Sequence, residues 1–427
     1  MKTFFILFKN FICILGIFIL QLSCSIGTKS GPNNPHIHSP LLTGLDVLVQ
    51  DSFIQLKGKR VGLITNQTGV DQNMIQNIDL FLKNDYISLN AIFTPEHGLF
   101  GSISAGEKIL TKNDSMLGIP IFSLYGKTKK PKDEMLKDLD ILVFDIQDIG
   151  IRSYTYISTM GLAMEAAADN DLEFMVLDRP NPLGLDRVEG NILDLEFSSF
   201  IGKYQIPYVY GLTCGELAIL INESGWLKSD KCKLTVVKME NFRRSDNYIT
   251  HKWVPTSPHV PDPTTPHYMV ATGILGELGI FSNGVGYTTP FRSIAAPWIN
   301  ADLLASEMNK LNLPGVIFRP TRYTPYYSVY RGIPVEGVQI YLEENINQDL
   351  MPIQYYFMQV HKNLYPEKDP FKMASLNRIK MFDKAMGTDK VRKTFSKNFK
   401  VEDVFHLLNE GLIDFRIQAE KYYLYDQ

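Results

Sequence analysis

Four acidic residues sit where chemistry could be done. Glu96 lies in Thr94-Pro95-Glu96-His97-Gly98, Asp145 and Asp148 in Phe144-Asp145-Ile146-Gln147-Asp148, and Asp178 in Asp178-Arg179-Pro180-Asn181-Pro182. Each cluster directly follows a short apolar run, at 89–93, 141–144 and 174–177; a fourth run, 60–64, stops at Thr65-Asn66-Gln67-Thr68. Pro95 holds Thr94 extended, so stiff backbone aims Glu96. Phe93, Leu99 and Phe100 around it suit a carboxylic acid that stays protonated and donates to a leaving oxygen. Glu96 is therefore the first choice for a catalytic acid, against the alternative of a loop ion pair with Arg152. His97 reads either as a substrate-binding residue or as an ordinary hydrogen-bonded loop residue.

The second loop holds Asp145, Gln147, Asp148, Arg152, Tyr154 and Tyr156 within twelve residues. Carboxylates beside aromatic platforms suit a sugar, and Asp145 or Asp148 could hold a water or stabilise positive charge at an anomeric carbon. The plain alternative pairs Asp148 with Arg152, four residues on, and leaves the tyrosines in the core. Arg179 offers a fork able to grip a carboxylate at two points, unless Asp178, Arg179 and Asn181 simply lock a rigid turn. Asn66 and Gln67 either bind hydroxyls or cap a helix.

These clusters need elements that bring them together. Strands at 60–64, 89–93, 119–124, 141–144, 173–177 and 234–237 alternate with helices at 75–82, 132–139 and 160–168, which predicts βαβ units and a parallel sheet. In an open α/β sheet, ligands bind outside the carboxyl ends of the strands, so the clusters should share one cleft. Thr213-Cys214-Gly215-Glu216 is a capping box opening a helix. The proline-rich stretch 251–267 breaks regular structure, and the domain boundary is placed there. Beyond it, helices are expected at 301–311 and 352–364, strands at 315–318 and 337–341, and a helical tail at 401–421. Gly284-Val285-Gly286-Tyr287 is not a phosphate loop. His251, His259 and His267 lack the carboxylate-rich spacing of a metal site. The expected architecture is α/β, with a Rossmann-like parallel-sheet N-terminal domain at 42–255 and a smaller C-terminal α/β domain at 256–427 completing the cleft.

The chain has 427 residues, 45% hydrophobic and 21% charged, with a net charge of −3. That length suggests two domains, and that charge gives no field to recruit nucleic acid. Lys2 and Lys9 precede or flank a short apolar stretch ending at Gln21-Leu22-Ser23-Cys24. Residues 1–23 read as a signal peptide, Cys24 as a lipidation site, and 24–41 as a tether. An exported protein of the cell envelope is expected, touching membrane only through its lipid. Cys214 and Cys232 read as free buried thiols.

Taken together, the motifs resemble the NamZ-type exo-β-N-acetylmuramidases, a family of peptidoglycan glycoside hydrolases. The carrying segments are Val61-Gly62-Leu63-Ile64-Thr65-Asn66-Gln67-Thr68-Gly69, Pro95-Glu96-His97-Gly98-Leu99, Phe122-Ser123-Leu124-Tyr125-Gly126, Val143-Phe144-Asp145-Ile146-Gln147-Asp148, Tyr154-Thr155-Tyr156-Ile157-Ser158-Thr159-Met160 and Leu177-Asp178-Arg179-Pro180-Asn181-Pro182. The resemblance implies a cleft between two domains, Glu96 as the acid, no cofactor, and release of N-acetylmuramic acid from the non-reducing end of peptidoglycan fragments. It also implies a ligand with a lactyl carboxylate, for which Arg152 or Arg179 is suited. The C-terminal half departs from the family pattern at His259, at Gly284-Val285-Gly286-Tyr287 and at Arg292. Rival readings are a muropeptide-binding lipoprotein without catalysis and a different hydrolase; the absence of GxSxG weighs against a serine esterase, and of GxGxxG after the first strand against a dehydrogenase.

Overall fold

The apolar runs of the first half become the centre of a single sheet. In the computed structural model, which describes residues 40–103, 112–114, 118–246 and 252–426, the strands are β1 (Arg60–Thr65), β2 (Ser88–Thr94), β3 (Lys112–Asp114), β4 (Ile119–Ser123), β5 (Ile141–Asp145), β6 (Glu173–Leu177) and β7 (Lys233–Val237). Their order is β3-β4-β2-β1-β5-β6-β7, with β3 alone antiparallel. The chain starts in the middle, winds outward through β2 to β4, then returns to the other side of β1 for β5, β6 and β7. The switch point, where a doubly wound sheet ordinarily receives its ligand, lies between β1 and β5.

Both faces of this sheet are covered, which is why its strands read as unbroken apolar runs. Successive side chains point to opposite faces. Leu142 and Phe144 enter one core with Phe93, Phe174 and Val176, whereas Ile141 and Val143 enter the other with Val61, Leu63 and Ile92. The helix Tyr156–Asp169 is buried along most of its length. The capping box expected at Thr213 opens the helix Cys214–Glu223.

The C-terminal half carries a second, antiparallel sheet of β8 (Ser293–Ala296), β9 (Val316–Tyr323) and β10 (Val335–Leu342), ordered β8-β10-β9. Its helices Thr265–Gly276, Ile353–Leu364 and Leu376–Met386 pack on the larger core, which runs from Phe144 through Phe281 to Phe357 without interruption. Residues 41–427 accordingly make one compact unit. Arg152 bolts its parts together. Its fully buried Nη1 donates to the carbonyls of Asn191 and Ile206, each at 2.7 Å, and Nη2 to that of Met386 at 2.6 Å.

Some expectations shift. The helix Thr265–Gly276 begins inside the proline-rich stretch, because Pro266 occupies the first turn, where no backbone N–H is needed. β8 and the helices Leu376–Met386 and Lys390–Asn398 were not among the expected elements, although Ser375 caps the first of these helices and Gly387 stops it. The tail is three short pieces, Val401–Asp403, Phe405–Leu408 and Leu412–Glu420, interrupted where Gly411 takes a φ of 79°. Cys214 and Cys232 are free and buried. The signal stretch, Cys24, nearly all of the tether and His251 lie outside the described residues.

Candidate active site

A cavity of about 700 Å³ opens on the carboxyl side of the sheet and lies beside the switch point, not at it. The end of β2 contributes Glu96 and His97, the turn before the helix Tyr156–Asp169 contributes Tyr154 and Thr155, and the proline-rich segment contributes Ser257 and His259. The opposite wall comes from the C-terminal half: Glu277, Asn283, Tyr327 and Arg378.

Glu96 is buried, 8% exposed, and its Oε2 accepts the Thr155 hydroxyl at 2.8 Å. His97 holds a left-handed φ of 73° and is followed by Gly98 at 75°. Such backbone costs a side-chain-bearing residue roughly 1–2 kcal/mol, and here it throws the chain sharply back over the strand end. His97 Nδ1 lies 2.7 Å from the Ile103 carbonyl, which can only accept, so Nδ1 carries a proton. His259 stacks on Tyr327 with ring centres 5.8 Å apart, its Nε2 2.8 Å from the phenol oxygen. Burial, and then the neighbouring His97, push the His259 pKa down, so this imidazole is neutral at pH 7. Glu277 is pushed upward by burial, an effect that Arg378 partly offsets.

Most of the other expected site residues lie beneath the cavity or beside it. Asp145 occupies the switch point itself, fully buried. Arg179 Nε donates to one of its oxygens at 2.6 Å and Asn77 Nδ2 to the other at 2.8 Å, while Arg179 Nη2 reaches the Val70 carbonyl at 3.1 Å. The crevice of a doubly wound sheet is thus filled by an internal ion pair. Asp148 is buried too, accepting from the Tyr210 hydroxyl and from Gly150 N–H, and desolvation lifts its pKa to about 6. Asp178 accepts from Thr213 at 2.7 Å, Gly215 N–H at 2.8 Å and Tyr425 at 2.6 Å, and burial likewise lifts it to about 6. Asn181 Nδ2 donates to the Leu212 carbonyl at 3.0 Å, and Gln147 Nε2 to those of Asp148 and Pro180 at 2.8 and 2.7 Å.

A further set clamps the proline-rich segment. Tyr154 donates to Thr256 Oγ1 at 2.8 Å, Tyr156 to the Thr256 carbonyl at 2.6 Å, and Gln67 Nε2 to the Pro255 carbonyl at 2.8 Å. Asn66 in turn donates to the Tyr156 oxygen at 3.1 Å. These contacts seat Ser257 and His259 on the cavity wall. Of the residues proposed from sequence, then, Glu96, His97 and Tyr154 line the cavity together. Asp145, Asp148, Arg152 and Arg179 do not, because buried partners already occupy them.

Sequence reasoning missed Glu277, Asn283, Tyr327 and Arg378. Glu277 does stand between glycines, in Leu275-Gly276-Glu277-Leu278-Gly279, which marks a turn that can present a carboxylate. Arg378 sits in the first turn of the helix Leu376–Met386, on its exposed side, and gives no comparable signal.

The cavity offers two carboxylates, two imidazoles, an amide and a guanidinium around a hollow of sugar size, an arrangement suited to acid–base cleavage of a polar substrate. Comparison with known proteins agrees. A model described as exo-beta-N-acetylmuramidase NamZ, N-terminal, matches residues 61–264, and its C-terminal counterpart matches 268–425. The peptidoglycan beta-N-acetylmuramidase NamZ of Bacillus subtilis (strain 168) is 41% identical over 385 residues, spanning 90% of this chain and 91% of that relative. Two solved structures of DUF1343 family proteins from Bacteroides fragilis NCTC 9343 superpose on it. One has a TM-score of 0.87 at 47% identity, covering 92% of this chain and all of the other; the second has 0.71 at 28%, covering 91% and all of the other. The chain belongs to the exo-beta-N-acetylmuramidase NamZ family.

Proposed function

We propose that this protein is a glycoside hydrolase that removes N-acetylmuramic acid from the non-reducing end of peptidoglycan fragments, in cell-wall turnover. The observation that carries the reading is the meeting of Glu96 and Glu277 on one cavity of about 700 Å³, inside the range for pockets that enclose a small ligand. Glu96, steadied by Thr155, protonates the glycosidic oxygen as the bond to the leaving sugar breaks. Glu277 takes the proton of the water that attacks the anomeric carbon; a carboxylate whose pKa burial has raised is a stronger base. Asn283 offers amide hydrogens to an acetamido carbonyl. His259, uncharged, adds a polar edge without a competing positive charge.

The test is incubation with a MurNAc–GlcNAc disaccharide and with a chromogenic N-acetylmuramic acid glycoside, the products identified by mass spectrometry. The native protein should release N-acetylmuramic acid, and Glu96→Gln should not. Equal release by both proteins sinks the mechanism. Saturable binding without turnover would favour a muropeptide-binding protein instead.

The reading extends to location. Lys2 and Lys9, the short apolar stretch and Ser23-Cys24 support export with lipid attachment at Cys24. Cells expressing Cys24→Ala should shift the protein from the membrane fraction to the soluble one and lose incorporation of a labelled fatty acid. An unchanged distribution removes the lipid anchor from the proposal.

A further inference from the structure

We propose that Arg378 is the specificity-determining residue of this cavity: it receives the carboxylate of the lactyl ether that distinguishes N-acetylmuramic acid from N-acetylglucosamine. The inference rests on the muramidase reading above and identifies the group that selects the sugar.

The residues expected to hold that carboxylate are engaged elsewhere. Arg152 is fully buried and spends its guanidinium on backbone carbonyls. Arg179 is buried against Asp145. Among the described residues lining the cavity, Arg378 is the one Lys or Arg side chain. It is exposed, and among the described residues its guanidinium forms no ion pair or hydrogen bond. Glu277 is close enough to feel its charge yet does not pair with it.

The side chain nevertheless has a seat. Its Nε lies 3.0 Å from where a Cβ on Gly279 would fall, and Gly279 has a φ of 66°, so the glycine leaves the surface over which the arginine lies. A placed guanidinium fork without an ion-pair partner on this cavity is matched by a ligand bringing its own negative charge: a sugar hydroxyl can accept a hydrogen bond from it, but only an anion also neutralises its charge. A carboxylate can be held two-pronged by Arg, and a lysine cannot reproduce that geometry.

Calorimetric titration of free N-acetylmuramic acid and free N-acetylglucosamine into the native full-length chain, R378Q and R378K tests the idea. The native protein should prefer N-acetylmuramic acid. R378Q should weaken it by about tenfold to a hundredfold while leaving N-acetylglucosamine unchanged, and R378K should recover part of the loss. The methyl ester of the lactyl group should bind the native protein as weakly as the free acid binds R378Q. Unchanged selectivity in R378Q, an equal loss for both sugars, or no preference in the native protein overturns the assignment. Hydrolysis of the disaccharide separates this from the underlying reading. Selective binding without cleavage removes the hydrolase and keeps Arg378; cleavage with unaltered selectivity in R378Q removes Arg378 and keeps the hydrolase.

Discussion

The Thr155 hydroxyl donates to Glu96 Oε2 over 2.8 Å, linking the loop after β2 to the turn that follows β5. β1 lies between those two strands in the sheet, so one hydrogen bond spans the mouth of the switch point and orients the proposed acid. Replacing Thr155 with Val removes the donor and keeps the shape. Expected is a fall in kcat of about tenfold with little change in KM, against about 10²–10⁴-fold for Glu96→Gln. Steady-state kinetics on a chromogenic substrate decides, and Thr155→Ser should behave as the native protein.

Arg179 and Asp145 form a buried pair with side chains 4% and 0% exposed. Removing one partner from such a pair leaves an uncompensated charge and costs roughly 3–5 kcal/mol. Arg179→Met should therefore unfold at markedly lower denaturant concentration than the native chain. If Arg179 instead contacted substrate, KM would rise and the denaturation midpoint would stay put.

Asp148 and Asp178 give stability a defined pH dependence. Both have folded pKa values of about 6, raised by burial above the ordinary aspartate value of 3.8. Between those values the folded state binds more protons than the unfolded state, so this part of the stability is complete below pH 4 and is lost as pH rises through 6. For one group, a shift of this size is worth about 3 kcal/mol. Asp148→Asn, which keeps the shape without the charge, should flatten the fall in unfolding free energy between pH 4 and 6. A denaturation series across that range showing the native slope in the variant would refute the account.

Arg378 lowers the pKa of Glu277 against the upward push of burial. If Glu277 must be ionised to act as base, losing Arg378 makes ionisation harder. The acidic limb of the kcat/KM profile should move to higher pH in R378Q and vanish in Glu277→Gln. The readout is a pH–rate profile on the chromogenic N-acetylmuramic acid glycoside, whose lactyl carboxylate stays ionised above about pH 4.

Gly387 abuts the Arg152 bolt. A Cβ there would fall 2.6 Å from Arg152 Nη2, and its φ of 75° strains any larger residue. Gly387→Ala should lower the melting temperature with catalytic constants nearly intact at permissive temperature; loss of activity at full stability would contradict a purely structural role.

The six parallel strands were legible because a sheet covered on both faces demands uninterrupted apolar runs, as in Ile141-Leu142-Val143-Phe144. The capping box at Thr213 was legible because its chemistry is local: four residues contain both reciprocal hydrogen bonds. Glu96 was legible for a similar reason, since strand, proline and glycine around it specify a loop end. Local order could not show which polar residues would be free. Asp145 and Glu96 both follow a strand end, yet Arg179, thirty-four positions after Asp145, consumes it.

The sequence alone determined the sheet, the turns at its carboxyl ends and the family to which the chain belongs, because periodicity, capping and motif spacing are written within a few residues of one another. Only the tertiary structure decided which charges face a ligand. Arg152 and Arg179 spend their donors on partners far along the chain, whereas Glu277 and Arg378 reach the cavity from the other half. Whether a polar group is satisfied or free depends on what packing brings beside it, and that is a property of the folded whole.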